Sequence, residues 1–282
     1  MHTQTDTTLV LGATGKTGRR VAQRLADRGL PVRLGSRSGT PRFDWNDRAT
    51  WKTALEGVSR VYISYYPDIA VPGAVETLGA FARQAVGQGV KRLVLLAGRG
   101  EAEAERAEEA VCDSGADLTI MRATWFAQNF SEGFMRDAIL SGVLALPAGD
   151  TPEPFVDTDD IADVAVAALT DDRHIGRLYE LTGPRALTFA EAAAEISHAS
   201  GREVRYQPVS IDEFASAMTA QGLPGDVVGL MRYLFTEVLD GRNSHTTDGV
   251  QRALGRAPRD FSDYARDAAA SGDWAIGSAV AA

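Results

Sequence analysis

Along the first two thirds of the chain, short apolar runs alternate with stretches whose apolar residues recur at helical spacing. Residues 8–12 (TLVLG), 31–37 (PVRLGSR), 60–64 (RVYIS), 91–97 (KRLVLLA), 118–123 (LTIMRA) and 178–183 (LYELTG) read as strands. Helices are predicted between them over 16–28, 49–55, 72–88, 101–113 and 159–169. This alternation predicts an α/β fold, a doubly wound parallel sheet with right-handed crossovers and helices on both faces. Strands covered on both faces carry apolar residues at consecutive positions, which is why the runs are continuous.

After Gly183 the pattern changes. Residues 188–201 (TFAEAAAEISHASG) begin with Thr188 and Glu191 in capping-box spacing and stop at Gly201; residues 210–222 repeat the device with Ser210 and Glu213. Two parts are expected: residues 1–183 as the sheet domain, and 184–282 as a smaller, mainly helical C-terminal part. The last residues, AIGSAVAA, are expected to be mobile.

Composition narrows the function classes. The 282 residues, 44% hydrophobic and 24% charged, are those of an ordinary enzyme-sized globular chain. A formal net charge of -9 argues against direct nucleic-acid binding and against anionic membranes, both of which need a basic surface. The single cysteine, Cys112, excludes an intrachain disulfide and fits a reducing compartment. The histidines His2, His174, His198 and His245 lack metal-ligand spacing, so no metal is expected. With no signal-peptide pattern and no apolar run near the roughly 18 residues of a membrane span, a cytoplasmic protein is expected. Its expected partners are a small molecule and a second copy of itself in a homodimer, and the acidic charge leaves a protein partner open.

The candidate chemistry starts at LGATGKTGRR, where Gly12, Gly15 and Gly18 follow the first strand and open the first helix. That is the context of a dinucleotide-binding turn. Gly12 would allow the turn, Gly15 the approach of backbone to a pyrophosphate, and Gly18 close packing of the helix. Ala13, Thr14, Lys16 and Thr17 complete the loop, whose free N–H groups and helix dipole attract phosphate. The spacing is one residue longer than G-x-G-x-x-G between the first two glycines, and a purely structural turn is the alternative. At the end of the second strand, where a carboxylate would bind the ribose of NAD, the sequence is Gly35-Ser36-Arg37-Ser38. Arg37 is placed to pair with a 2′-phosphate, and a charge-assisted hydrogen bond contributes about 1.5–3 kcal/mol. NADP(H) is therefore favoured over NAD(H), the alternative being a solvated surface arginine.

These residues, with FDWND, GVKRLVLLAGRG, MRATWFAQNFSEG, PFVDTDDIADVA and YELTGPRALTFAEA in that order, resemble the NmrA-like group of atypical short-chain dehydrogenases. The similarity runs over nearly the whole chain and is strongest to reductases related to the ergot-alkaloid iminium reductases and type 2 quinone oxidoreductases. The resemblance implies a Rossmann-type domain with a substrate-binding C-terminal part. It places Gly12 to Gly18 on the pyrophosphate, Ser36 and Arg37 on the 2′-phosphate, Asp44 and Trp45 by the adenine, and Ser64 and Tyr65 beside the cofactor. It runs residues 123–129 along the nicotinamide end, with Thr124 and Phe126 on the cofactor, Trp125 as apolar cover, and Gln128 and Asn129 toward a polar substrate atom. Trp125 and Phe126 read equally well as core, and Asn129 as a cap.

The resemblance also has a departure. Short-chain dehydrogenases use a Tyr-x-x-x-Lys pair, usually with a serine, to move a proton. Here the lysines are Lys16, Lys52 and Lys91, and Ala97 and Gly98 stand at the strand end where the serine is expected. Either the acceptor is already activated, so that geometry does most of the work, or the fold binds nucleotide without turnover. The first reading gives an NADPH-dependent oxidoreductase delivering hydride to a quinone, enone, imine or iminium; the second gives a nucleotide-sensing regulator acting through a protein partner.

Other residues carry two readings each. Glu101, Glu105, Glu108 and Glu109 read as a solvated helix face with acids near its N-terminus, and Glu101 as a proton donor only if burial raises its pKa. Arg99 is a candidate for contacting substrate. Tyr65 and Tyr66 either line a pocket or support backbone. Asp157, Asp159 and Asp160 resemble a metal-ligand cluster but are better explained as an acidic helix start, and His198 and Met218 read as helix residues. Met231, Tyr233, Leu234 and Phe235 are either core or the walls of a site for a flat apolar or aromatic substrate.

Overall fold

The computed structural model describes residues 6–275; the last residues of the tail, and His2, lie outside them. Six parallel strands form one sheet in the order β2-β1-β3-β4-β5-β7. They are β1 (Thr7–Leu11), β2 (Val32–Gly35), β3 (Val58–Ile63), β4 (Arg92–Gly98), β5 (Asp117–Ala123) and β7 (Leu178–Leu181). The helices α1 (Lys16–Asp27), α2 (Ala49–Leu55), α3 (Ala74–Gly87), α4 (Ala102–Cys112) and α6 (Thr158–Thr170) alternate with these strands, as the apolar pattern predicts.

Strand alternation sorts the side chains into two layers. Leu9 and Leu11, Val61 and Ile63, and Leu93, Leu95 and Ala97 point to one face, where they pack with Trp51, Leu78, Phe81, Ala107 and Val111 from α2, α3 and α4. Val10, Tyr62, Val94 and Leu96 are buried on the other face. There α1 packs on α6. The apolar side of α1 consists of Val21, Ala22 and Leu25, and the chain leaves it at Gly29, with φ +70°. Arg24 ties the two helices together, with hydrogen bonds to Asp159 at 2.5 Å and to Asp163 at 2.7 Å.

The chain divides into two units in an interleaved manner rather than by one cut at 183. Among the described residues, one unit comprises residues up to Ala123, Thr158–Leu181 and Asp248–Ala257; the other comprises Thr124–Asp157, Thr182–Thr247 and the residues from Pro258 onward. The short helix α10 (Gly249–Leu254) thus returns to the first unit, where a Cβ on Gly249 would meet the Glu180 carbonyl oxygen of β7 at 2.0 Å.

The second unit has its own core of Phe130, Phe155, Phe189 and Phe261, with ring centroids 5.1–5.9 Å apart. It contains α5 (Met135–Ser141), α7 (Phe189–Ser200), α8 (Ile211–Ala220), α9 (Gly225–Tyr233) and α11 (Phe261–Ala270). Both expected capping boxes are formed, Thr188 with Glu191 on α7 and Ser210 with Glu213 on α8. It is not wholly helical: β6 (Val143–Leu146) and β8 (Arg205–Pro208) pair in parallel.

Candidate functional site

The glycine loop joins β1 to α1 at the carboxyl edge of the sheet, where open α/β sheets bind ligands. Gly12 takes φ +66°, and its carbonyl oxygen accepts the N–H of Gly15 at 2.9 Å. Gly15 is the N-cap of α1 in extended conformation and supplies no capping side chain, nor is there an acid in the first turn. The first N–H groups of α1 therefore face a segment where Thr14 and Gly15 are exposed, with no carboxylate in that turn to take them. Gly18 is fixed by packing: a Cβ there would lie 2.2 Å from the Gly12 oxygen. A Cβ on Gly12 would touch Ser64, just past β3, at 3.1 Å, which brings Ser64 to this loop.

At the end of β2, Ser36 accepts backbone N–H bonds from Gly39 at 3.1 Å and Phe43 at 2.9 Å, closing a turn that holds Arg37 at the surface. The Arg37 guanidinium lies 5.9 Å over the ring of Tyr66, which is 70% exposed. Asp44 is occupied by its own turn: its carboxylate accepts the Asn46 N–H at 3.1 Å and Arg42 at 2.7 Å, while its carbonyl accepts Trp51 Nε1 at 2.9 Å. Trp45 packs among Phe43, Tyr65 and Phe81 with centroids 4.8–5.2 Å away. Gly12–Gly18, Ser36, Arg37, Asp44, Trp45, Ser64 and Tyr65 thus all sit on connections that leave the carboxyl ends of β1, β2 and β3.

In the second unit, Thr124 Oγ1 is buried and donates to the Pro154 carbonyl at 2.8 Å. Phe126 bridges to Val156, and Asn129 lies in a 3-10 turn over Ala127–Asn129 with its N–H on the Phe126 carbonyl at 3.0 Å. The Trp125 ring is only half-buried and stands 5.0 Å from Phe235 and 5.7 Å from Phe189. Phe235 is the second residue of the π-helical turn Leu234–Val238, a feature that recurs at functional sites. Met231 and Phe235 are buried in the core, and Leu234 packs against it. Gln128 is buried, and its Nε2 donates to Asp157 at 2.8 Å.

Arg99 is 4% exposed and its Nε donates to Glu180 on β7 at 3.1 Å. The acidic run of α4 is not uniformly solvated. Glu105 and Glu109 are exposed, whereas Glu108 is buried and binds Arg122 through both oxygens at 2.7–3.1 Å. Glu101, the N-cap residue of α4, is buried beside Asp68, and burial together with that carboxylate pushes its pKa up to about 8. Asp68 is raised as well, chiefly by burial. The Gly98-x-Gly100 sequence before Glu101 is the signal that makes room for an inward carboxyl; nothing in YYPDIA marks Asp68.

Asp159 and Asp160 form the acidic first turn of α6, and Asp160 pairs with Arg256 at 2.7 Å. No group of three or more potential metal ligands occurs among the described residues. No helix there is long and apolar enough to cross a membrane.

The NmrA-like family model matches residues 102–265, more than half of the chain. The chain belongs to the NmrA-like family. Among relatives of this NmrA-like chain, the prestalk A differentiation protein A of Dictyostelium discoideum is 30% identical, with 92% of the chain and 91% of the relative covered. The NAD(P)H azoreductase of Xenophilus azovorans is also 30% identical, over 93% and 98%. The fold matches that of the NADPH-dependent quinone oxidoreductase QOR2 of Escherichia coli in complex with NADPH: TM-score 0.74, 24% identity, 93% and 99% covered.

Proposed function

We propose that the chain is an NADPH-dependent reductase that transfers hydride to a small conjugated electrophile such as a quinone, an enone or an imine. The observation that carries the reading is the end of β2: Arg37 is surface-exposed and no carboxylate stands among residues 35–38, next to a loop whose glycines leave no side chain over the first N–H groups of α1. A Cβ on Gly15 would meet the Gly12 oxygen at 3.2 Å, so the loop is already closed on itself and exposes backbone rather than side chains. This fits a pyrophosphate at the helix N-terminus and a 2′-phosphate on the guanidinium.

In this reading Ala13, Thr14, Lys16 and Thr17 hold the pyrophosphate with the glycines, Ser36 and Arg37 the 2′-phosphate, and Asp44, Trp45, Ser64 and Tyr65 flank the rest of the nucleotide. Thr124, Trp125, Phe126 and Asn129 are acceptor-side candidates on the family resemblance, and Arg99 is one from its place just past the end of β4, with its Nε on Glu180. The bound nucleotide supplies hydride. An azoreductase and a quinone oxidoreductase among the similar proteins support a flat, conjugated acceptor. No lysine follows Lys91, so the proton donor is not a Tyr-x-x-x-Lys pair. The same nucleotide site would serve a sensor, and turnover separates the two.

The test is NADPH oxidation by the purified protein against quinones, enones and cyclic iminium compounds, with Arg37→Ala alongside. Loss of one charge-assisted hydrogen bond, about 1.5–3 kcal/mol, weakens NADPH roughly ten- to a hundredfold and NADH far less. Equal losses for both nucleotides refute the 2′-phosphate assignment. Tight NADPH binding with no turnover of any acceptor refutes the reductase.

A further inference from the structure

The nucleotide assignments leave the buried Glu101 unused. Gly100, with φ +79°, turns the chain after β4 so that the Glu101 side chain folds back over Gly98. A Cβ on Gly98 would lie 2.0 Å from Glu101 Oε1 and 2.9 Å from Oε2, so the carboxyl occupies the space that any side chain at 98 would fill. Alternation puts residue 98 on the same sheet face as Val94 and Leu96, the face that Gly12 continues from β1 and Ser64 from β3. With neighbouring strands about 4.8 Å apart, two strand spacings, roughly 10 Å, separate the turn after β1 from the end of β4. Glu101 therefore stands along the line of strand ends on which the nucleotide is proposed to lie, displaced from the pyrophosphate loop toward β4.

Glu101 is 5% exposed, and its Oε2 has no hydrogen-bond partner among the described residues. Asp68, on the connection between β3 and α3, is its carboxyl neighbour and is held by accepting the Ala70 N–H at 2.8 Å. The other charged groups on this stretch have partners of their own: Arg99 pairs with Glu180, Glu108 with Arg122, and Glu103 with Arg106. Two carboxyls in contact without a cation between them share a proton, because both cannot ionise. Here the more buried Glu101 keeps it, hydrogen-bonded to Asp68.

We propose that Glu101 is the proton donor of the reductase, passing its proton from the carboxyl to the oxygen or nitrogen of the acceptor, with Asp68 hydrogen-bonded behind it. The proposal rests on the reductase reading. Reduction of a neutral quinone or enone adds one hydride and one proton. The hydride is the nucleotide's. The proton leaves as the Glu101 O–H bond breaks and the new bond to the acceptor's heteroatom forms, leaving the pair with two negative charges. Asp68, less buried than Glu101, then takes a proton from water and restores the shared state. A cationic iminium becomes neutral on accepting hydride and needs no proton, so the acid divides the substrate classes.

The experiment compares the parent, Glu101→Gln and Asp68→Asn in two readouts. In nucleotide-free protein, infrared difference spectra should show a protonated carboxyl at pH 7 that titrates near pH 8, is missing in Glu101→Gln, and titrates at lower pH in Asp68→Asn, where the repelling charge is gone. In turnover, Glu101→Gln should lower kcat roughly a hundredfold or more with a quinone, and by at least ten times less with an iminium. Parent kcat on the quinone should be flat below pH 8 and fall above it. No protonated carboxyl at pH 7, or equal losses on the two acceptors, overturns the proposal. A parent that turns over neither acceptor overturns the reductase reading itself, and the donor role with it, whatever the infrared shows.

Discussion

Replacing Gly18 by alanine should damage nucleotide binding more than any other single methyl added to the loop. The new Cβ would lie 2.2 Å from the Gly12 oxygen, 2.6 Å from the Gly12 carbonyl carbon and 3.0 Å from the Ala13 nitrogen. All three are backbone atoms of a turn already fixed by the Gly15 to Gly12 hydrogen bond, so none can rotate aside. An ordinary carbon–oxygen contact is roughly 3.3 Å, and the start of α1 must retreat from the turn by about 1 Å. Overpacking of this kind costs about 1–3 kcal/mol, which for a chain of this size lowers Tm by roughly 2–12 °C. The displaced N–H groups are those offered to the pyrophosphate. Losing one charge-assisted bond weakens NADPH roughly ten- to a hundredfold. Thermal unfolding and titration by nucleotide fluorescence measure both effects. Gly15→Ala is the control, since its Cβ meets only the Gly12 oxygen, at 3.2 Å, a contact that a few tenths of an ångström relieve. A Gly18→Ala protein that melts with the parent and binds NADPH equally well would refute the close-packing argument.

Two stability predictions follow from buried and paired carboxyls. The folded pKa of Glu101, about 8, exceeds its unfolded value of 4.5, so between those limits the folded chain holds an extra proton and stability falls as pH rises. Asp68 shifts in the same direction. From pH 5 to pH 8 the unfolding free energy from urea titrations should drop further for the parent than for Glu101→Gln, by an amount on the order of a few kcal/mol; equal drops refute a buried neutral acid. Asp260 has the opposite sign. It accepts two Arg185 bonds at 2.8 Å and caps α11 through the Ser262 N–H at 2.8 Å, which holds its pKa well below the ordinary carboxylate range. The ion pair is partly exposed and discounted accordingly, so Asp260→Ala should cost about 1–2 kcal/mol at pH 7, mostly from the cap. That cost should shrink as pH falls below 3.8; a cost independent of pH would refute the assignment.

The sheet unit was legible because its signals are long or chemically specific. Six- and seven-residue strands such as β3 and β4 give continuous apolar runs, and Thr188 and Ser210 announce their helices by a carboxylate three residues on. The glycine loop was legible as a strand-to-helix turn for the same reason, with Gly12 at positive φ and Gly18 packed on the Gly12 backbone. The interleaving was not. The strands β6 (VLAL) and β8 (RYQP) are four residues long, and β8 is mostly exposed, so neither carries enough apolar periodicity to register. The seven-residue α5 is equally short. At the site, the pairing of Arg99 with Glu180 was not legible locally, because the partner lies 81 residues away. Glu101 was averaged into an acidic helix face, since the local pattern of α4 does not distinguish a carboxyl turned back over Gly98 from those in water.

The interleaved path has a consequence for synthesis. The chain passes between the units at 123/124, 157/158, 181/182, 247/248 and 257/258. The edge strand β7 is complete by residue 181, yet α10, which lays Gly249 on the Glu180 backbone and Arg252 5.5 Å over the Tyr179 ring, is made nearly seventy residues later. On the ribosome the growing sheet therefore waits with its last edge uncovered while most of the second unit is being translated. A release before residue 249 would leave that edge open to pairing with other chains, so premature termination between residues 182 and 248 should yield aggregation rather than a folded sheet unit.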